Sequence, residues 1–121
     1  MHRLEVVSIA NEGNLANECV WFKAAEDIPR LHDYIVTDTT YTDDQHISNE
    51  LRHVFWFPSI AVKKGDYVKL MTKVGQRSTV PNNQGTTTHV LYWGLGRTVW
   101  NRDGDCAVVF KVETWKTKRS A

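Results

Sequence analysis

Apolar and polar residues alternate along most of this chain, and that period of two constrains its fold more than any other feature. Arg3-Leu4-Glu5-Val6-Val7-Ser8-Ile9 alternates as a half-buried strand should, and Asn11-Glu12-Gly13-Asn14 ends it with turn residues. Glu18-Cys19-Val20-Trp21-Phe22-Lys23 reads as a second strand, rich in β-branched and aromatic types. Leu31 to Asp38 is expected to form a third. Val54-Phe55-Trp56-Phe57 forms another, closed by Pro58, which cannot donate to a ladder. Tyr67 to Val74 alternates with lysines on its wet face, and Val90-Leu91-Tyr92-Trp93 and Cys106 to Val112 supply the remaining strands. The polar stretches Thr37 to Asn49 and Gln76 to Thr88 are expected to be long exposed loops. Helical spacing is not sustained anywhere. Strands at ~8–15-residue intervals between turns are the pattern of an antiparallel sandwich.

Composition narrows the function classes without choosing one. A length of 121 residues, 41% hydrophobic and 24% charged, suits one globular domain with its own core. Fifteen basic against fourteen acidic residues give a net charge of +1, so no overall field draws in nucleic acid or an anionic membrane. No run is apolar enough for a membrane span and the start of the chain lacks signal-peptide regions, so the expected location is cytoplasmic. Residues 1–115 are read as one sandwich and residues 116–121 as a basic C-terminal tail.

Residue patterns for chemistry are weak. Cys19 and Cys106 are too few and too far apart for a disulfide scaffold; two half-buried thiols or a single bridge are the open readings. The five histidines form no metal-binding spacing. Asn101, Asp103 and Asp105 resemble the opening of a calcium loop, but Gly104 falls between the second and third oxygen side chains and no glutamate closes the loop. Asp43-Asp44 with His46 reads as a solvated polar cluster. Gly94-Leu95-Gly96 has neither a third glycine nor a P-loop lysine, and no Gly-x-Ser-x-Gly elbow occurs. The expectation is no catalytic residue, no metal and no cofactor.

The most specific stretch is Trp100-Asn101, then Gly104-Asp105, then Ala107 and Val109. It resembles the C-terminal motif of lamin tail domains. Upstream, Glu18-x-Val20-x-Phe22, Leu31-x-x-Tyr34-x-Val36-x-Asp38 and Phe57 through Gly65 resemble further landmarks of that family in the same order. Ala24 and Lys111 depart from it, and the loops Thr39–Asn49 and Gln76–Thr87 have no counterpart. The resemblance implies an immunoglobulin-like antiparallel β-sandwich and a non-catalytic interaction module, which in lamins contacts proteins and chromatin. Within it Trp100, Asn101, Gly104 and Asp105 are read as structural. Asp103-Gly104 suits a tight turn, with Asp105 accepting an amide from it and Trp100 buried beneath it.

Alternation then assigns the outer surface. If Val20 and Phe22 point inward, as the resemblance implies, Cys19 and Trp21 point outward; with Ala107 and Val109 inward, Cys106, Val108 and Phe110 face the other way. Apolar residues there imply a covered surface, met by a partner or by a loop or the Thr114–Lys118 tail. Trp21, Val108 and Phe110 are therefore the candidate protein-interaction residues, for a protein partner or a second copy of the chain. The alternative is nucleic-acid binding through Lys69, Lys73, Lys116, Lys118 and Arg119, should the lysine-bearing strand face and the tail meet.

Overall fold

The computed structural model describes residues 2–40, 46–48, 50–100 and 104–120. Among these residues eight strands form two sheets: β1 (Leu4–Ala10), β2 (Cys19–Ala24), β3 (Tyr34–Thr40), β4 (Val54–Trp56), β5 (Tyr67–Met71), β6 (Ser78–Pro81), β7 (Thr87–Tyr92) and β8 (Asp105–Lys111). The first sheet has the order β1-β2-β5-β7-β6 and the second β4-β3-β8. The only helical element among the described residues is a 3-10 turn at Leu31–Asp33.

Alternation works as expected in β2. Val20, Phe22 and Ala24 are buried in the interior, where the Phe22 ring meets Phe57 edge-on at 5.3 Å. Facing them, Val36 of β3 is flanked by Phe55 of β4 and Val109 of β8, and all three pack on the core. Trp100 is buried between the sheets, its ring 6.2 Å from that of Trp93. The result is a two-sheet β-sandwich.

Four expectations about the strands need correction. The sheets are not wholly antiparallel, because β5 and β7 run parallel. After β5 the chain first lays down β6 at the sheet edge, and a hairpin then returns as β7 into the gap between them. That edge position is what allows Pro81 inside a strand, where sequence suggested only a loop. Asn82 closes the hairpin: its Oδ1 accepts the Gln84 and Thr86 amides at 3.0 and 3.2 Å, and Gly85 takes a positive φ of 77°.

The polar segment beginning at Thr37 is likewise no exposed loop at its start. Thr37, Asp38 and Thr39 lie in β3 and are buried. The returning segment before β4 satisfies the latter two: the Thr39 hydroxyl lies 3.0 Å from both the Ser48 and Glu50 carbonyls, and Asp38 accepts the His53 amide at 2.8 Å. Finally, β5 ends at Met71, so Lys73 falls beyond the strand rather than on its wet face.

Candidate functional site

Glu18, Asp38 and Asp66 are buried carboxyl groups, and each is committed to holding the fold. Glu18 is fully buried and accepts the Thr72 hydroxyl (2.6 Å) and the amides of Gly13 (3.0 Å), Val99 (2.9 Å) and Trp100 (3.3 Å). It thus ties the β1–β2 turn and the stretch before β8 to the sheet. Asp38 takes the Arg52 Nε at 3.1 Å and the His53 ring Nδ1 at 2.9 Å. Asp66 accepts the Lys63 and Thr87 amides and faces His89 Nε2 at 2.9 Å. Burial pushes the Asp66 carboxyl upward, but the bonds from His89 and the two amides outweigh it and hold it below the ordinary carboxylate value.

The two cysteines are free thiols on different sheets, Cys19 in β2 and Cys106 in β8. Cys19 is buried at the end of the first sheet rather than outward and open, because Met71 and Ala10 flank it on the neighbouring strands. Burial pushes both thiols up from their ordinary value, away from the reactive thiolate.

The lamin-tail-like motif is only partly within the described residues. Trp100 is buried, as expected of a structural residue, and Gly104 has a positive φ of 86° at the turn into β8. Asp105 binds the Arg52 Nη2 at 3.2 Å and the Thr40 hydroxyl at 3.3 Å, an inter-strand tie that sequence reasoning did not foresee. Asn101 and Asp103 lie outside the described residues, as do Asp43 and Asp44. Among the described residues no group of three His, Cys, Asp or Glu side chains gathers where it could hold a metal ion.

The candidate interaction residues do not form one surface. Trp21 sits on the outer face of the five-stranded sheet, whereas Val108 and Phe110 sit on the three-stranded sheet, on the opposite side of the sandwich. Sequence alternation gave each residue's facing within its strand but carried no information on which sheet the strand joins.

On the five-stranded sheet, Trp21 is half-buried and already covered. It is paired with Lys69 across β2 and β5, and Lys23 is paired with Tyr67. The Lys69 ammonium lies 5.2 Å from the Trp21 ring centroid and that of Lys23 lies 5.6 Å from Tyr67, while the two rings meet edge-on at 6.3 Å. These four side chains make a chequerboard in which each cation sits on an aromatic face. Asn82, Asn83 and Gln84 of the β6–β7 turn flank the same patch.

The three-stranded sheet is different. Ile35 of β3 lies directly between Trp56 of β4 and Phe110 of β8, and the next outward row is Val54, Thr37 and Val108. Directly opposed residues in a sheet project to the same side, so these rows share one face, apolar except for Thr37, which is buried. Trp56 is 39% exposed, Phe110 42% and Val54 54%. Trp115, itself 50% exposed, packs edge-on against Trp56 at 4.8 Å and against His32 at 6.0 Å. His32 stacks flat on Trp56 at 4.2 Å, and the Trp56 Nε1 donates to the His32 carbonyl at 2.6 Å. Sequence reasoning found Val108 and Phe110 but missed Trp56 and Trp115. The alternation of β4 contained the signal for Trp56.

The basic residues are also dispersed. Lys69 faces outward from the five-stranded sheet, Lys73 follows it in a turn, and Trp115 starts the tail on the three-stranded side. Lys116, Lys118 and Arg119 are exposed. Among the described residues no helix is long and apolar enough to cross a membrane. No family model matches the chain, and no curated protein or solved structure matches it significantly.

Proposed function

We propose that this chain is a non-catalytic interaction module of the lamin-tail kind, an immunoglobulin-like sandwich that binds protein through the outer face of its three-stranded sheet. The observation that carries this reading is the Trp56–Ile35–Phe110 row, with Val54 and Trp115 beside it. A contiguous apolar face on a small domain is the usual mark of a partner surface, and aromatic residues are the side chains most often found at its centre. The saturation of Glu18, Asp38 and Asp66 by structural hydrogen bonds supports a binding role over a catalytic one.

A second copy of the chain is the first partner to test. Light scattering across a wide concentration range should show mass rising above that of the 13.9 kDa monomer, and Phe110→Ser should abolish the rise while leaving the fold intact. A strict monomer at every concentration would end the self-association reading.

Nucleic-acid binding is the second reading, favoured by the Lys23–Tyr67 and Lys69–Trp21 chequerboard, since cations beside aromatic rings suit single strands. Its discriminating sign is affinity that falls steeply with salt and is weakened by Lys69→Gln, Lys73→Gln and changes at Lys116, Lys118 and Arg119.

A further inference from the structure

The two sheets differ in width, and the difference leaves a groove. β8 lies beside β1 at one side of the sandwich, so at the other side β7 and β6 extend past the last strand of the smaller sheet, β4. Two adjoining clefts of about 470 and 350 Å³ run along this overhang and share Arg77 and Leu91. Phe55, Phe57 and Pro58 line the first on the β4 side, and Ile60 and Ala61 line the second.

The β4 edge that borders the groove carries backbone groups with no partner among the described residues. The Phe57 amide donates to the Tyr34 carbonyl and the Asp38 amide to the His53 carbonyl, both at 3.2 Å, and Phe55 is paired with Val36. In an antiparallel pair such groups alternate in direction, so the amides and carbonyls of Val54 and Trp56 point away from β3. Among the described residues no strand pairs with that edge. Arg77 stands across the groove without an acidic partner among the described residues.

The geometry points to this groove as a site for strand addition: an extended peptide that pairs with the Val54 and Trp56 backbone and completes the smaller sheet. Such binding draws affinity from main-chain hydrogen bonds and selectivity from every second side chain. One inward side chain rests on Phe55 and Leu91 and is apolar; another reaches Arg77 and is acidic. A lysine-rich strand meets a like charge there, which disfavours this chain's own Lys116–Arg119 tail as the occupant.

The test uses a synthetic peptide alternating valine with aspartate and threonine, blocked at both ends, and a counterpart with lysine in place of aspartate. Fluorescence anisotropy should show the aspartate peptide binding about tenfold more tightly than the lysine peptide, the scale of one charge-assisted hydrogen bond. Arg77→Glu should reverse that preference. Val54→Pro removes an outward amide that β3 does not use and should abolish binding, and amide resonances of Val54 and Trp56 should move on titration of the wild type. Circular dichroism confirms that each variant is folded; the charge reversal at exposed Arg77 remains decisive should Val54→Pro unfold. Phe110→Ser lies on the far strand of the sheet and should leave peptide binding unchanged, which separates this site from the proposed partner face. Equal binding of both peptides, no binding, or loss of dimerisation rather than of peptide binding in Val54→Pro would each overturn the assignment.

Discussion

The two outer faces of this sandwich both carry aromatic side chains and use them differently. On the five-stranded sheet, Trp21 and Tyr67 are turned against each other and each carries a lysine ammonium on its ring. On the three-stranded sheet, Phe110, Val54 and Trp56 are left substantially open, with His32 stacked on Trp56 and Trp115 leaning on it from the tail. The first arrangement completes its contacts within the chain. The second does not, and the difference teaches that an outward aromatic residue marks a partner surface only when its neighbours leave it uncovered.

The comparison presupposes an intact frame, and Glu18 ties the β1–β2 turn and the stretch before β8 to the five-stranded sheet. Glu18→Ala would strand four donors in the interior and should cost about 3–5 kcal/mol, the largest effect among single changes considered. Chemical denaturation followed by tryptophan fluorescence measures it; a cost below 1 kcal/mol, on the order of a surface change, would show that the carboxyl is dispensable.

Trp21→Ser should be the next largest, about 2 kcal/mol, because a half-buried ring with its edge-on and cation partners is lost. Its effect on self-association should be small. If Trp21→Ser instead abolished assembly at unchanged stability, the two faces would have to exchange roles.

Asp66 sharpens the comparison through pH, since it fastens the β6–β7 turn whose residues flank Trp21. Its folded-state value is depressed, so its contribution is present above the unfolded value of about 4 and is lost as pH falls through the lower folded one. Wild-type stability should therefore drop more steeply with acidification over that range than stability of Asp66→Asn. Parallel curves for the two proteins would contradict the assignment.

Phe110→Ser should have the smallest effect on stability, about 1 kcal/mol or less, because the residue is 42% exposed and lies on the outer face. A large destabilisation would mean that the face is part of the folded core rather than a binding surface.

Much of this architecture was legible in the sequence. The alternation of Val20 and Phe22 against Trp21, and of Val109 against Val108 and Phe110, reports inward and outward facing because side-chain direction in a strand is local. Sheet membership is not local. Nothing near Trp21 or Phe110 says that their strands lie on opposite layers, and so a single patch was expected where there are two. The buried polar end of β3 was hidden for a related reason: Thr37, Asp38 and Thr39 read as loop residues until Arg52, His53 and the Ser48 and Glu50 carbonyls are brought to them. β6 was missed because Pro81 argues against a strand everywhere but at a sheet edge.

The most direct test of the account compares the two faces in one experiment. Hydrogen–deuterium exchange of the wild type, read at low and high protein concentration, reports which backbone amides association protects. The account expects added protection at high concentration in peptides covering β4 and β8, with β2 and β5 unchanged. Protection confined to β2 and β5 would contradict it and would make the lysine-capped face the one that meets a partner.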